Sequence, residues 1–446
     1  MARRSLQGLN DPVDGASLAF FRIVFGLALL WEVLRQFFHG WIARDYADPQ
    51  FHFAYFNLDW LRPWPDPFTH LHFALLGGLA IGIVLGFHYR FCAALFFVGY
   101  TTLFLWEKAT YQNHHYLICL VALLMSVVPA HRVAALDARR EPRPDPFVPR
   151  WALWLLRFQI AIPYVFGGIA KLGGDWLQGQ PMRMWLAERT DFPLFGRFFE
   201  EPWMVDLFVW GGLLFDLAIV PLMLLPRTRG LAFAVAVAFH LINDRLFAIG
   251  VFPWLMIAGT TLFFEPDWPR RILSRRRGSA TPAVTPPSWG RMRALPMSLL
   301  VAWVAVQVLV PFRHLLYPGR SDWTEEGRRF SWHMKLRDKR ARIHSITIRD
   351  AESGETGGVD PRDYLTNRQI TQMCMHPEMI RQFARYVADK AEAAGIRAEL
   401  RADIRVSLNG RPYRAIVDPQ IDLAAVHPGW GSEEWILSLS APLPAR

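Results

Sequence analysis

The chain has 446 residues, of which 52% are AVILMFWYC and only 20% charged, with 33 Phe and 19 Trp. It is too long and too apolar for one ordinary soluble domain, and points to insertion into a membrane. With 31 Gly, 32 Pro and 3 Cys, a collagen-like chain, disorder and a disulfide scaffold are excluded, and the +10 net charge has to be judged from its distribution.

A helix needs roughly 20 mostly apolar residues to cross the hydrocarbon core. Met1–Gln7 is basic, but the apolar segment after it is a full span with no small-residue cleavage site, so no cleavable signal peptide is expected. In chain order the predicted spans are Ser17–Phe38, Asp66–Phe87, Arg90–Trp106, His114–Ala130 and Trp151–Leu172. They continue with Trp203–Leu225, Gly230–Asn243, Arg245–Phe264 and Ala294–Phe312, the seventh being short, with a tilt or break near Asn243.

Lys and Arg accumulate on the cytoplasmic side of such proteins. With the N-terminus inside, the inner connections carry seventeen Arg. The outer ones before the last span carry five Arg and Lys108, with Arg245 at the border. This predicts a multi-pass plasma (inner) membrane protein with a cytoplasmic N-terminus and an extracytoplasmic C-terminal domain. The basic charge then reflects topology and contact with lipid headgroups, and no nucleic acid is expected as a partner.

Gly278–Trp289 is rich in Pro, Ser and Thr and reads as a flexible linker before the last span. Beyond Phe312 the pattern changes. Arg329–Arg337 and Ile343–Arg349 alternate like strands, and Ala402–Leu408 runs into the hairpin signal Asn409-Gly410. His376–Ala394 has helical spacing and ends at Gly395. The predicted fold is thus an α-helical multi-pass membrane domain of about nine spans (1–312), followed by a β-rich extracytoplasmic domain (313–446), without internal repeats.

Ionisable groups within spans cost roughly 2.5–3.5 kcal/mol each on insertion scales, so each requires a reason. Glu32 and Arg35 are three apart and can pair on one helix face, while Asp206 and Arg157 lie near span ends and can reach headgroups or water. Lys171 is different. It ends the fifth span in the run Phe166-Gly167-Gly168-Ile169-Ala170-Lys171, whose small residues let neighbouring helices approach. Enclosure there makes a neutral amine base accessible; a snorkelling interfacial lysine is the alternative. At the same outer level come His114, in Asn113-His114-His115-Tyr116, and the pair His240 and Asn243. A Lys and a His make an acid–base set, and Asn amides can orient a polar ligand group. Cys92, Cys119 and Cys374 have no metal-ligand spacing, and no metal is expected.

Further strings accompany these: Phe21-Arg22-Ile23-Val24-Phe25-Gly26, Gly168-Ile169-Ala170-Lys171-Leu172 and Phe239-His240-Leu241-Ile242-Asn243. In the outer domain follow Phe330-Ser331-Trp332, Ile346-Thr347-Ile348-Arg349-Asp350 and Val406-Ser407-Leu408-Asn409. Together, in this order, they resemble the vitamin K-dependent γ-glutamyl carboxylase family in its compact bacterial form, over nearly the whole chain. The resemblance implies that a membrane Lys deprotonates reduced vitamin K of the menaquinol or phylloquinol type. Reaction with O2 then gives an epoxide and a strong alkoxide base, which removes a γ-proton from a peptide Glu so that the carbanion captures CO2.

By position Lys171 is the quinol base, with His114 beside it as the second catalytic residue, and Asn113, His240 and Asn243 holding the quinol. The implied partners are membrane lipid, the prenylated quinone and a Glu-containing peptide or protein. Trp332, Arg337, Lys339 and Arg411 are candidate contacts for the anionic Glu, the alternative being a solvated basic strand face with one packed Trp. The chain departs from animal members in carrying Arg337 where they usually have His and His115 where they have Ser, and it has no cysteine pair to tie the outer domain down. Two rival functions follow: a quinol epoxidase or oxidase without peptide carboxylation, and a non-enzymatic transporter or lipid-binding protein. A transporter more often shows inverted repeats and helices interrupted at midplane.

Overall fold

The computed structural model describes residues 8–444 other than 57, 144, 248, 278–285, 288, 291, 428 and 430–433. Met1–Gln7 and most of the predicted linker Gly278–Trp289 fall outside the described residues. Among the described residues, nine apolar helices stand where nine spans are expected, and seven of these are long enough to cross a membrane. These are α1 (Ala16–Phe38), α2 (Phe68–Leu85), α3 (Tyr89–Trp106), α5 (Arg150–Ala170), α6 (Pro202–Leu224), α7 (Arg229–Phe247) and α9 (Ala294–Leu309), the last prolonged by 3-10 turns to Leu316. Two are short: α4 (Asn113–Val127) stops before Pro129, and α8 (Phe252–Thr260) starts after Gly250 with Pro253 in its first turn.

The boundary between the seventh and eighth helices also differs from expectation. Instead of breaking at Asn243, α7 runs on through Asn243, Asp244 and Arg245 to Phe247, because polar residues are tolerated at the outer end of a helix. Gly250, at φ 68°, is where the chain turns.

The membrane helices share one apolar core that includes Phe21, Phe25, Phe96, Leu117 and Leu156. Charges buried within it are matched to backbone ends. Arg22, 0% exposed, donates to the carbonyl of Val84 in the last turn of α2 and to those of Ala130, Val133 and Ala134 beyond the end of α4. Arg157 donates to the carbonyls of Leu262 and Phe264. Glu32 pairs with Arg35 at 3.0 Å as expected. The lightly packed α9 is hooked to α5 through Gln307 and Trp303, both bonded to Gln159.

In the outer domain a four-stranded antiparallel sheet has the order β2-β1-β3-β4, with β1 Lys339–Asp350, β2 Thr356–Gly358, β3 Ala398–Leu408 and β4 Arg414–Ala415. β1 pairs with β3 from Lys339↔Leu408 to Asp350↔Ala398, with a bulge between Ile343 and Ser345. Alternate residues of β3 (Leu400, Ala402, Ile404, Val406, Leu408) are buried in a core shared with α10 (Asn367–Met375) and α11 (Pro377–Ala393). The expected helix ends at Gly395, φ 82°, while α10, closed by a Thr366/Gln369 capping box, is additional.

Arg329–Arg337 is not a strand. Phe330, Trp332 and Lys335 have φ of 68°, 59° and 51°, which no pleated strand accommodates. This irregular segment lies against the membrane helices: the Phe330 amide donates to the Tyr111 hydroxyl at 2.8 Å, and the Trp332 ring packs on Tyr116. Strained backbone of this kind persists only where tertiary contacts over-determine it, and it clusters at functional sites.

A candidate active site under the outer domain

α5 passes through Pro163 and closes at Lys171, after which Gly173 leads into a short helix, Gly174–Leu177. The Lys171 ammonium meets the Asp216 carboxylate of α6, sits 3.4 Å from the Gly167 carbonyl and lies 5.3 Å from the centre of the Trp176 ring. Both charged side chains are buried. The small residues make this possible, since a Cβ at Gly168 would stand 2.7 Å from the Leu217 side chain and 3.3 Å from Asp216 Cβ. Replacing Gly168 with Val is therefore expected to push α6 from α5 and cost about 1–3 kcal/mol. A thermal unfolding midpoint unchanged from the unmutated protein would contradict this packing.

Lys171 opens onto a cavity of about 540 Å³ between the membrane helices and the irregular outer segment. Six of the nine residues expected at the site line it: Lys171, Asn113, His114, His240, Asn243 and Arg337. His240 Nε2 lies 2.6 Å from the Tyr164 hydroxyl, and Asn113 Oδ1 accepts from Tyr111. Apolar walls come from Phe208, Phe239, Phe252 and Met256. Arg337, which forms an ion pair with Glu325, has its guanidinium pKa pushed down to about 10 by burial.

The other three are placed elsewhere. Trp332 is buried in the membrane core, 1% exposed. Lys339 donates to Glu325 and to the carbonyls of Trp323 and Met375; burial and the cations around it hold its pKa well below that of an ordinary lysine. Arg411 grips Asp175 with two nitrogens, at 2.6 and 3.0 Å, and bonds the Ala441 carbonyl. These side chains are occupied by internal partners because the segments bearing them close onto the membrane domain, whereas the sequence pattern suggested an open strand face.

Several polar lining residues were not singled out from sequence, among them Asp216, Tyr164, Lys335, Gln112 and His333. Asp216 was legible as an ionisable group in an apolar helix, but nothing local paired it with Lys171. Tyr164 and Lys335 gave no signal above packing and surface charge. Asp175 belongs to a junction cluster next to the site: Arg411, Arg320 and Asn409 all bond it. Burial acts to raise its pKa, but those hydrogen bonds prevail and hold it at about 2.

Among the described residues, Glu32, His114 and His115 offer three metal-type ligand atoms within 4.8 Å of one another. Both Glu32 oxygens already accept from Arg35 and Gln36, and His115 Nδ1 is 2.6 Å from the Tyr100 hydroxyl, so the cluster is knit by its own hydrogen bonds.

No solved structure matches the chain. Two family models do. Residues 10–268, more than half of the chain, match the HTTM domain, and residues 292–441, which take in α9 and the outer sheet, match the vitamin K-dependent gamma-carboxylase lumenal domain. A helical membrane domain carrying a buried Lys at its outer end, capped by a domain of that second kind, makes this chain a multi-pass membrane protein with an extracytoplasmic domain, and it belongs to the vitamin K-dependent γ-glutamyl carboxylase family.

Proposed function

We propose that the protein carboxylates peptide glutamate at the γ-carbon, coupled to epoxidation of reduced vitamin K. The observation that carries this reading is the cavity that gathers Lys171, His114, Asn113, His240 and Asn243 from three separate stretches of chain. A quinol headgroup needs donors and acceptors on one side and apolar contact for its ring and tail on the other. The Asn amides and His rings supply the first, and Phe239, Phe252 and Met256 the second, in a volume usual for small-molecule sites.

The bound quinol supplies, with O2, the strong base that the side chains themselves lack. Lys171 acts from its neutral amine form: the amine takes the proton of the quinol hydroxyl, and the ammonium so formed pairs with the Asp216 carboxylate, the arrangement found in the structure. His240, oriented by Tyr164, and His114 position the headgroup, while Asn113 and Asn243 hydrogen-bond it. The outer segment closes the cavity from above and keeps water from the carbanion stage, when CO2 is added. Arg337, held by Glu325, lines the cavity on the side from which the peptide enters.

Purified protein would be incubated with reduced quinone, labelled CO2 and a Glu peptide, with epoxide and fixed label followed together. Both products are expected; neither product would leave only a transport or lipid-binding role. Epoxide without label would support the second reading, a quinol epoxidase without peptide carboxylation. That reading is favoured by the commitment of Trp332, Lys339 and Arg411 to internal partners.

The proposed division is a helical domain over 1–312 and an extracytoplasmic domain over 313–446, with a cytoplasmic N-terminus in the plasma (inner) membrane. Seven crossings and nine are both odd, so either number puts the two chain ends on opposite sides. A reporter fused after Arg446 is expected to be active only outside the cytoplasm; activity inside would reverse the orientation.

A further inference from the structure

Two smaller cavities continue from the first. One of about 220 Å³ shares Gln112, Asn113, Lys335 and Arg337 with the membrane-level cavity. Another of about 380 Å³ shares Glu325, Arg329 and His376 with that antechamber. The antechamber is strongly cationic, but most of its cations are already matched. Glu325 is shared by Arg328, Arg337, Lys339 and His376, and Arg328 also meets Asp322.

Two cations differ. Among the described residues, no ion pair joins Lys335 or Arg329 to a carboxylate. Lys335 lies over the rings of Trp185 and Phe247, at 5.4 and 4.8 Å, and lines both the membrane-level cavity and the antechamber. Arg329 lines the antechamber and the outer cavity. Its Nε is a buried donor without a hydrogen-bond partner, and Glu378, which lines the same outer cavity, is taken by Lys108. Lys335 therefore stands unmatched at the membrane end of a polar passage leading to the quinol cavity and Arg329 at its outer end, where Arg313, likewise without a carboxylate partner among the described residues, lines only the outer cavity.

We propose that this passage binds an acidic peptide segment bearing two carboxylates, one held by Lys335 beside the membrane-level cavity and the other by Arg329 at the outer mouth. The inference rests on the carboxylase reading for the identity of the ligand. The cations set the selectivity: an anionic side chain gains a charge-assisted hydrogen bond at each end, which a neutral one cannot make.

The test is direct binding of fluorescent peptides to the purified full chain in detergent, by anisotropy, using otherwise neutral peptides with two Glu, one Glu or only Gln. The two-Glu peptide is expected to bind about tenfold or more tighter than the one-Glu peptide, and the Gln peptide weakest. Arg329→Gln should reduce the preference for the second Glu to below about twofold, Arg329→Lys should retain most of it, and Lys335→Gln should weaken both Glu peptides by about tenfold. Equal affinity for Glu and Gln peptides in the unmutated protein, which requires no variant, would overturn the proposal. So would an Arg329→Gln variant that keeps the preference. Carboxylation is read separately. The expected binding pattern without fixed CO2 leaves the site standing and defeats the carboxylase reading; fixed CO2 without the pattern does the reverse.

Discussion

Replacing Lys171 with Ala is expected to reduce quinol oxidation by about 10²–10⁴-fold, the range over which a positioned base contributes. The same change leaves the Asp216 carboxylate buried without its counter-charge, which costs about 3–5 kcal/mol of stability. Loss of activity alone is therefore ambiguous. The double variant Lys171→Ala with Asp216→Asn removes both charges, and is expected to regain most of the stability while remaining inactive. Small amines should partly restore oxidation in these variants, since the vacated volume opens onto the cavity. Near-normal epoxide formation by Lys171→Ala would return this lysine to a purely structural ion pair.

Breaking the Asp175–Arg411 contact is expected to loosen the outer domain and to impair both half-reactions. Sequence reasoning placed Arg411 on the peptide side only, so that its loss would spare the quinol step. In the fold, Asp175 is four residues from Lys171 and adjacent to Trp176, whose ring lies under the Lys171 ammonium. Arg411→Ala deprives a buried carboxylate of its main partner, for a loss of about 3–5 kcal/mol, moderated by Arg320, which is half in solvent and stays. Measured epoxide formation should fall together with peptide carboxylation, and Arg411→Lys should recover only part of each, because one ammonium cannot reproduce the two-pronged contact. A variant with full quinol oxidation and lost carboxylation would restore the peptide role.

The pH dependence of this junction has a definite sign. The folded Asp175 pKa of about 2 lies below the ordinary aspartate value of 3.8, so its contribution is complete above about pH 4. It amounts to about 2 kcal/mol, and is lost as pH falls from about 4 towards 2. Asp175→Asn should abolish that acid-dependent step in a limited-proteolysis assay of the outer domain; an unchanged profile would place the acid sensitivity elsewhere.

The membrane architecture was legible in the amino-acid sequence because lipid makes each span satisfy itself. Twenty apolar residues are sufficient to specify a helix, although the turn at Gly250 was missed and the eighth span was drawn through it. The shared outer level of Asn113, His114, Lys171, His240 and Asn243 followed from span order alone. What the sequence could not contain was pairing between distant elements. Asp216 is 45 residues from Lys171 and bonds it only once Gly167 and Gly168 allow α5 and α6 to touch. The alternation of Arg329–Arg337 suggested a strand, yet docking on Tyr111 and Tyr116 forces three positive φ angles and turns Arg337 and Lys335 towards the cavities. Arg411 and Lys339 were correctly read as cations, but whether a cation meets substrate or an internal carboxylate depends on which surfaces close. Local free energy writes periodicity into the chain, whereas the partner of a buried charge is set by the packing of whole elements, and only the tertiary structure decides it.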